Sequence, residues 1–442
     1  MTSHTRRVQV VADQIRQRIG GSGFASLAKS SPSHFVPDPR DPKHRDRKID
    51  VRGLDHVLEI DVEGRRCVAE PGVTFARLVD MTLPLGLVPK LVPELESITL
   101  GGAIAGCSVE STSFRYGGFH DTCRSYEMVT GNGQIVTCSP EHDRELFDMV
   151  HGSYGTLGVL TKVEFDLMPA LPFVRMEYRH LRTFEQLHAE MMECCERGDH
   201  DFVDAIVHGP DHLVLCLGSL ARRAPRVSNY RGVNIFYKST RTLDHDWLTT
   251  RDYFFRYDTE CHWLTRTLPV PGMESAPMRL LFGKLLLGST NILSLSERLR
   301  PVLRLREDPH VVVDVFIPEP RLGEFWAWYL KTVDFFPLWV VPYRAPAPYP
   351  WLNPAHAARN SSPWYIDCAV YGKRNTPAVR FDKLLEDKTY ELGGIKTLIS
   401  RNSYDEETFW SIYDRERYER VKRRLDPHNL FRELYEKVHR RR

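Results

Sequence analysis

The sequence has almost no excess of either charge. Its 442 residues carry 60 basic and 58 acidic side chains, for a formal net charge of +2. No overall field therefore favours a polyanion, and the balance argues against nucleic acid as a partner. The chain is also too long for one ordinary hydrophobic core, so we expect two or three domains.

Zinc ligands, an export signal and membrane spans are missing as well. The nine cysteines lack the CxxC or Cys/His spacing of a structural zinc site, so we expect no metal and a reduced, cytoplasmic chain. Residues 1–20 carry charges throughout and lack the apolar core of a signal peptide. The apolar stretches 280–295 and 335–352 are broken by lysine, arginine or proline. Neither predicts a spanning helix, although both leave contact with a membrane surface open.

The two commonest nucleotide-binding motifs are absent, but glycine and hydroxyl residues cluster at 93–117 and again at 151–159. No lysine follows the glycines as in GxxxxGK[ST], and there is no GxGxxG. Glycines that let the main chain approach a ligand, with amides and hydroxyls as donors, suit a diphosphate. The alternative interpretation of residues 93–117 is an ordinary surface loop.

Local patterns predict strands and helices in alternation. Strand patterns at 57–73, 126–138 and 159–167 are interrupted by the turn residues Glu63-Gly64 and Gly131-Asn132-Gly133. Helical spacing appears at 74–83, 143–151 and 183–197, and apolar strands are predicted at 213–217 and 311–317. From Thr408 the basic tail predicts one helix that ends at Asp426-Pro427.

Taken in order, these pieces resemble the FAD domain of the vanillyl-alcohol-oxidase superfamily over roughly residues 45–170. The resemblance implies an α+β fold: a two-part FAD-binding domain of the PCMH/VAO type at 1–172, a separate α+β substrate or cap domain at 173–400, and a segment at 401–442 that returns to the FAD domain. The residues that it implies for cofactor binding are Pro93, Glu94, Thr99, Gly101, Gly102, Gly106, Cys107, Ser108, Glu110, Ser111, Thr112, Ser113, Tyr116, Gly117, Gly155, Gly158 and Val159.

Within that superfamily the chain is most similar to the Δ24-sterol reductases, also called seladin or Diminuto-like proteins. The landmarks include Pro93-Glu94-Leu95, Arg115-Tyr116-Gly117, Pro337-Leu338-Trp339 and Phe409-Trp410. This resemblance implies FAD reduced by NADPH, and saturation of an unactivated carbon-carbon double bond in a lipid. Tethered relatives carry a histidine in an N-terminal loop, where this chain offers only His34, so we expect non-covalent FAD.

An isolated alkene requires a proton donor, because nothing polarises the double bond. A carboxyl in an apolar pocket has a raised pKa, and a tyrosine can relay a proton. The candidates are Asp314, Tyr365, Asp367 and Tyr371. The alternative interpretation is that the two tyrosines are core residues on one face of a strand and that Asp314 caps a turn.

The sequence leaves more than one substrate and more than one class of activity open. Bacterial flavin reductases that convert a methylene-branched fatty acyl chain into a methyl branch, as in 10-methylstearate biosynthesis, are similar too, and 46 arginines against 14 lysines indicate a GC-rich bacterial genome. We therefore expect that substrate, supplied by a methyltransferase, or a Δ24-sterol side chain, with an enzyme in the cytoplasm or on the inner face of the membrane. The rivals are an oxidase or dehydrogenase of a hydroxy acid, alcohol or sugar lactone, and a flavin-free lipid-binding scaffold.

Overall fold

A computed structural model describes residues 3–32, 42–260, 272, 274–287, 310–345, 349–400 and 402–439. The strands in these ranges are β1 (Ala25–Ala28), β2 (Arg47–Asp50), β3 (Val57–Asp61), β4 (Arg66–Ala69), β5 (Leu87–Pro89), β6 (Cys123–Thr130), β7 (Ile135–Cys138), β8 (Gly158–Pro169), β9 (Phe173–Leu181), β10 (Phe202–Gly209), β11 (His212–Ala221), β12 (His245–Thr249), β13 (His310–Pro318), β14 (Leu338–Arg344), β15 (Trp364–Arg374) and β16 (Ile395–Lys396).

The same ranges contain α-helices and short 3-10 helices. The α-helices are α1 (Ser3–Arg16), α2 (Phe75–Thr82), α3 (Leu100–Ala105), α4 (Ser113–Tyr116), α5 (Arg144–Val150), α6 (Phe184–Arg197), α7 (Phe236–Ser239), α8 (Thr250–Phe254), α9 (Ala276–Leu287), α10 (Leu322–Thr332), α11 (Pro354–Ala357), α12 (Phe381–Glu391), α13 (Glu406–Ile412), α14 (Arg415–Leu425) and α15 (Leu434–Val438). The 3-10 helices are Pro42–Arg45, Leu83–Leu85, Phe119–Thr122 and Glu319–Arg321.

Strands and helices are mixed throughout, so the fold is α+β, as predicted. In the first part of the chain, β1 and β2 form a small parallel pair, and a six-stranded sheet follows the order β3-β4-β8-β6-β7, with β5 paired to β8. The predicted hairpin between β3 and β4 is confirmed, because the Gly64 amide donates to Asp61 Oδ1 at 2.8 Å and closes the turn. None of the described helices is long and apolar enough to cross a bilayer.

The prediction of one helix in the tail is wrong, because the segment forms two, α13 and α14. Tyr413 lies between the two helices and has extended backbone angles. It pairs with Leu352 in an isolated antiparallel β-bridge. The Asp414 amide donates to Trp351 O at 2.9 Å, and its side chain caps α14 by accepting from the Arg417 amide at 3.0 Å. An N-cap aspartate in the middle of the pattern thus starts a new helix.

A second, eight-stranded antiparallel sheet follows the order β12-β9-β11-β10-β14-β15-β13-β16. Because side chains alternate along a strand, its two faces have different neighbours. On one face, Val313, Val315, Ile366 and Cys368 pack under α6, α10 and α12 in an apolar core. On the other face, Trp339 and Tyr371 share a hydrophobic cluster with residues of the first sheet and its helices. We call this second face the inner face, and it lies where the two halves of the molecule meet.

Candidate active site

The first glycine cluster builds α3 and its approach to the Pro71 turn. The Gly101 amide donates to Pro71 O at 2.9 Å, and the Gly102 amide donates to Thr99 Oγ1 at 3.3 Å. A Cβ at Gly101 would lie 2.9 Å from Pro71 Cβ. These amides are therefore already bonded, which corrects the expectation that they are open to a phosphate. Gly101 is required for the close packing of α3.

The second glycine cluster lies directly against the end of α3. The amides of Gly152 and Tyr154 donate to Ile104 O at 3.4 Å and to Ala105 O at 3.1 Å. Gly152 and Gly155 have φ angles of 66° and 71°, which favour glycine. The two clusters, about fifty residues apart in sequence, thus form one surface, and we refer to 151–158 as the second glycine loop.

The loop after α3 carries a buried chain of hydrogen bonds that the sequence did not predict. The Tyr349 hydroxyl lies 2.9 Å from Cys107 Sγ and 2.8 Å from His120 Nε2. Burial lowers the pKa of His120 to about 3, so its imidazole is neutral. Ser108 ties the loop down, because its amide donates to Ala103 O and its carbonyl accepts from the Phe119 amide. Cys107 is thus a structural member of this network.

The segment from Glu110 to Ser113 faces the inner face of the eight-stranded sheet. The Val203 amide donates to Ser111 O at 2.9 Å, and the hydroxyls of Ser111 and Tyr253 lie 2.9 Å apart. Ser113 Oγ accepts from the Glu110 amide at 2.8 Å. Thr112 Oγ1 is buried and has no hydrogen-bond partner among the described residues. Its hydroxyl could reach a ligand, and so could Glu110 Oε1, which is likewise buried and has no hydrogen-bond partner among the described residues.

Three of the four predicted proton-donor residues, Asp314, Asp367 and Tyr371, lie together on the inner face. Tyr371 donates a short hydrogen bond to Asp314 Oδ1, and Thr397 Oγ1 donates to Asp314 Oδ2 at 3.1 Å. Asp314 is in β13, so it does not cap a turn. Asp367 is 1% exposed, and neither of its oxygens has a hydrogen-bond partner within the described ranges. Tyr365 packs apart from these groups, in an apolar cluster with Phe316 and Tyr343.

The environment of Asp367 favours its neutral form. Burial raises the pKa of Asp367 well above its ordinary value, and the neighbouring carboxyls of Asp314, Glu94 and Glu110 raise it further. Burial likewise raises the pKa of Glu110, although the Arg256 guanidinium opposes this. Burial without a donor and neighbouring like charges both disfavour the carboxylate form of an acid. The environment at the junction of the two halves therefore favours the protonated form of Asp367.

Arg256 is the buried cation beside this group of carboxyls. It is 2% exposed, donates to Asp204 Oδ2 at 2.7 Å and approaches Glu110 Oε2 at 3.8 Å. The ring of Tyr253 lies 4.3 Å from its guanidinium carbon, and Trp339 Nε1 donates to the same Asp204 oxygen at 2.9 Å. Sequence reasoning missed both charged residues. The sequence does point to Asp204, because it is a charged residue inside the apolar strand sequence FVDAIV, and a buried charge requires a partner.

The other predicted cofactor residues have packing roles in the structure. A Cβ at Gly106 would lie 3.0 Å from Gly102 O, and one at Gly117 would meet the Asp121 carboxylate. Gly158 lets β8 approach β6. Pro93, Glu94 and Val159 are buried, and Lys90 Nζ lies 5.4 Å from the ring centre of Tyr116. Contact of these residues with a cofactor stays a prediction.

We expected no metal, and one group of potential ligands already has another role. Atoms of Asp55, His56 and Glu70 lie within 4.8 Å of one another. The Glu70 carboxylate, however, accepts from the Arg7 guanidinium at 2.7 Å and from the His56 amide at 2.9 Å. Glu70 thus fastens α1 to β4.

Comparison with known proteins indicates FAD binding. Residues 27–139 match the family model of an FAD binding domain. The chain is 26% identical to the Delta(24)-sterol reductase of Homo sapiens over 449 residues, which covers 98% of this chain and 86% of the relative. The Delta(24)-sterol reductase of Pisum sativum is 24% identical over 433 residues, or 88% of this chain and 76% of the relative.

A shorter part of the chain is similar to Cytokinin dehydrogenase 3 of Oryza sativa subsp. japonica. It is 33% identical over 136 residues, which covers 30% of this chain and 24% of the relative. The chain is an FAD-binding oxidoreductase. It resembles the Δ24-sterol reductases along nearly its whole length.

The described residues of this FAD-binding oxidoreductase fit the cofactor. The buried Thr112 hydroxyl has no partner among them and offers a donor. Among the described residues, Lys437 Nζ, at 3.9 Å, is the one atom that a Cβ at Gly155 would meet within 4 Å, so the backbone of Gly155 itself is open on that side. His34, the one N-terminal candidate for covalent attachment, lies outside the described residues, and non-covalent binding stays a prediction.

Proposed function

We propose that this protein reduces an isolated carbon-carbon double bond in a lipid, with NADPH as the electron donor. The observation that carries the proposal is the state of Asp367, a buried carboxyl whose two oxygens lack hydrogen-bond partners among the described residues. FAD, when bound, supplies hydride-transfer chemistry. Asp367 supplies the proton, from its carboxyl oxygen to one carbon of the double bond.

The two aspartates of the inner face have different roles. Tyr371 and Thr397 donate hydrogen bonds to the Asp314 carboxyl group and hold it in place. The negative charge of Asp314 in turn raises the pKa of Asp367. Two carboxyls whose environments differ in this way separate into an acid and an electrostatic partner. Asp314 and Tyr371 are thus positioning residues, and Asp367 is the proton donor.

The surroundings of Asp367 suit an apolar substrate. In the sheet register, Asp367 lies opposite Phe316 on β13 and opposite Val341 on β14. Phe316 also packs against Tyr343 and Tyr365. An apolar wall on each side of the acid excludes water and favours the neutral carboxyl.

The names of the relatives support a Δ24-sterol side chain as the substrate. A methylene-branched fatty acyl chain, supplied by a methyltransferase, presents the same chemistry, since its double bond is also unactivated. We propose the sterol-type side chain first and the methylene-branched chain second. Both are long and apolar, so the enzyme must take them from a lipid phase.

A short apolar patch supports peripheral contact with the inner face of the membrane from the cytoplasm. Leu280 and Leu281 of α9 are 77% and 75% exposed. Paired exposed leucines favour insertion into the headgroup region. Residues 288–295 and 346–348 of the two apolar stretches noted in the sequence lie outside the described residues. Flotation with anionic liposomes should carry the wild type and lose the Leu280→Ser/Leu281→Ser variant.

Hydroxy-acid oxidation receives less support from the site. Such enzymes need an arginine to bind the substrate carboxylate, and Arg256 is already bonded to Asp204. The experiment is anaerobic. The flavin of the purified protein should bleach with NADPH and recover with a Δ24 sterol or a methylene-branched acyl lipid. The absence of flavin, or bleaching only by hydroxy acids or alcohols, would overturn the proposal.

A further inference from the structure

The C-terminal segment 430–438 lies between the β1–β2 pair and the second glycine loop. The Ala25 amide donates to Leu430 O at 2.8 Å. Arg432 donates to Asp46 Oδ1 at 2.6 Å, and its guanidinium lies 4.3 Å from the ring centre of Phe24. The segment therefore holds the two parts of the FAD-binding half together.

Two lysines of the C-terminal helices reach the second glycine loop. Lys422 Nζ donates to Thr156 O at 2.8 Å, and Lys437 Nζ donates to Tyr154 O. Lys422 is neutralised, since it also binds Asp426 Oδ2 at 2.7 Å. Lys437 Nζ lies instead beside the bare backbone of Gly155, 3.9 Å from the Cβ position. The two lysines donate to carbonyls of the same loop. Lys422 also binds a carboxylate, that of Asp426.

The charges around Lys437 are mainly positive. Burial and the ammonium groups of Lys29, Lys43 and Lys422 lower the pKa of Lys437 to about 7. Asp46 opposes this effect, but its carboxylate already binds Arg432. A lysine ammonium next to glycine backbone is typical of a phosphate-binding site.

We propose that Lys437 binds the diphosphate of FAD beside the second glycine loop. The inference rests on FAD binding by this domain and concerns its diphosphate subsite, not the reaction. The cofactor is favoured over a free anion because the same loop packs on α3 within the FAD-binding half. Bound phosphate oxygens would return Lys437 to its charged form, so FAD binding should take up a proton.

The first test titrates flavin-free protein with FAD and follows flavin fluorescence. Lys437→Met should weaken FAD binding about 10- to 100-fold, the usual worth of a charge-assisted hydrogen bond. Lys437→Arg should stay within about threefold of the wild type. Lys383→Met is the matched control, because Lys383 Nζ bonds Asp387 Oδ1 on the exposed side of α12. Unchanged FAD affinity in Lys437→Met would overturn the proposal.

A calorimetric test distinguishes charge from a structural role. At pH 8, the enthalpy of FAD binding should vary with the buffer in the way expected for uptake of ~1 proton by the wild type. Lys437→Arg should bind FAD without that uptake, and equal uptake in both proteins would contradict the assignment. This readout serves even if Lys437→Met fails to fold.

One further readout, the affinity for NADPH, separates FAD binding from binding of the nicotinamide donor. If Lys437→Met binds FAD normally but NADPH more weakly, the anion site belongs to the nicotinamide donor and the FAD assignment is wrong. None of these titrations depends on turnover. An enzyme that binds FAD as expected and reduces no lipid would therefore contradict the proposed function alone.

Discussion

The two faces of the eight-stranded sheet are made by alternate residues of the same strands, yet their chemistry differs. Ile366 and Cys368 lie in a dry apolar core under helices. Asp367, between them in sequence, lies on the inner face with Asp204 and Asp314. The first face stabilises the fold, whereas the second keeps buried charges that cost stability. Such groups are retained where a site needs them.

The largest expected effect is on turnover, from a change on the inner face. Asp367→Asn keeps the shape of the side chain but removes the proton, so kcat for lipid reduction should fall by about 10²- to 10⁴-fold. FAD affinity and reduction by NADPH should stay near the wild-type values, as stopped-flow spectroscopy can show. Cys368→Ala, one residue away on the other face, is the control and should leave kcat unchanged. Equal losses in both variants would mean that the faces do not differ in function.

The next effect is on stability, through the buried cation of the inner face. Arg256→Met leaves Asp204 and Glu110 without their guanidinium, so the free energy of unfolding should fall by about 3–5 kcal/mol. Urea denaturation measures this loss. Adding Asp204→Leu to Arg256→Met should recover part of it, since the uncompensated carboxylate is then gone. No recovery in the double variant would argue against a charge effect.

Several features of this sheet could be predicted from sequence. The alternative interpretation put Tyr365 and Tyr371 on one face of a strand, and in the structure both lie in β15, an even number of residues apart and thus on the same face. Arg256 could not be found in this way. It follows α8 in a turn, outside any periodic pattern, and meets Asp204 from 52 residues further along the chain. Contacts of this kind depend on tertiary packing.

The C-terminal tail and the first glycine cluster illustrate two further limits of prediction from sequence. Asp405 and Asp414 are both N-cap residues, one for each helix of the tail. The second aspartate is a helix-start signal from which α13 and α14 could have been predicted as separate helices. The amides of Gly101 and Gly102 gave no such signal. Whether an amide is open to a ligand depends on the Pro71 turn that packs beside it.

A smaller effect concerns pH. The pKa of Asp367 is raised in the folded protein, so the folded state keeps a proton that the unfolded chain loses above about pH 4. This contribution to stability is present at low pH and is lost as the pH rises toward the raised pKa. Asp367→Asn removes the contribution, and its stability should fall less steeply, by up to about 1.4 kcal/mol per pH unit. Parallel stability curves would contradict a protonated Asp367.

The smallest effect belongs to the apolar face. Ile366→Val removes one buried methylene and should cost about 0.5–1.5 kcal/mol of unfolding free energy. The rate of lipid reduction should not change, because Ile366 contacts the helices and not the inner face. A clear drop in kcat at equal FAD affinity would show that the two faces are coupled.

Infrared difference spectroscopy at pH 7 tests the central claim most directly. We predict that the wild type has a C=O stretching band of a protonated, unbonded carboxylic acid, and that this band is missing in Asp367→Asn and retained in Asp314→Asn. If the band is absent from the wild type, or lost instead in Asp314→Asn, Asp367 does not hold the proton and the assignment of the acid is wrong.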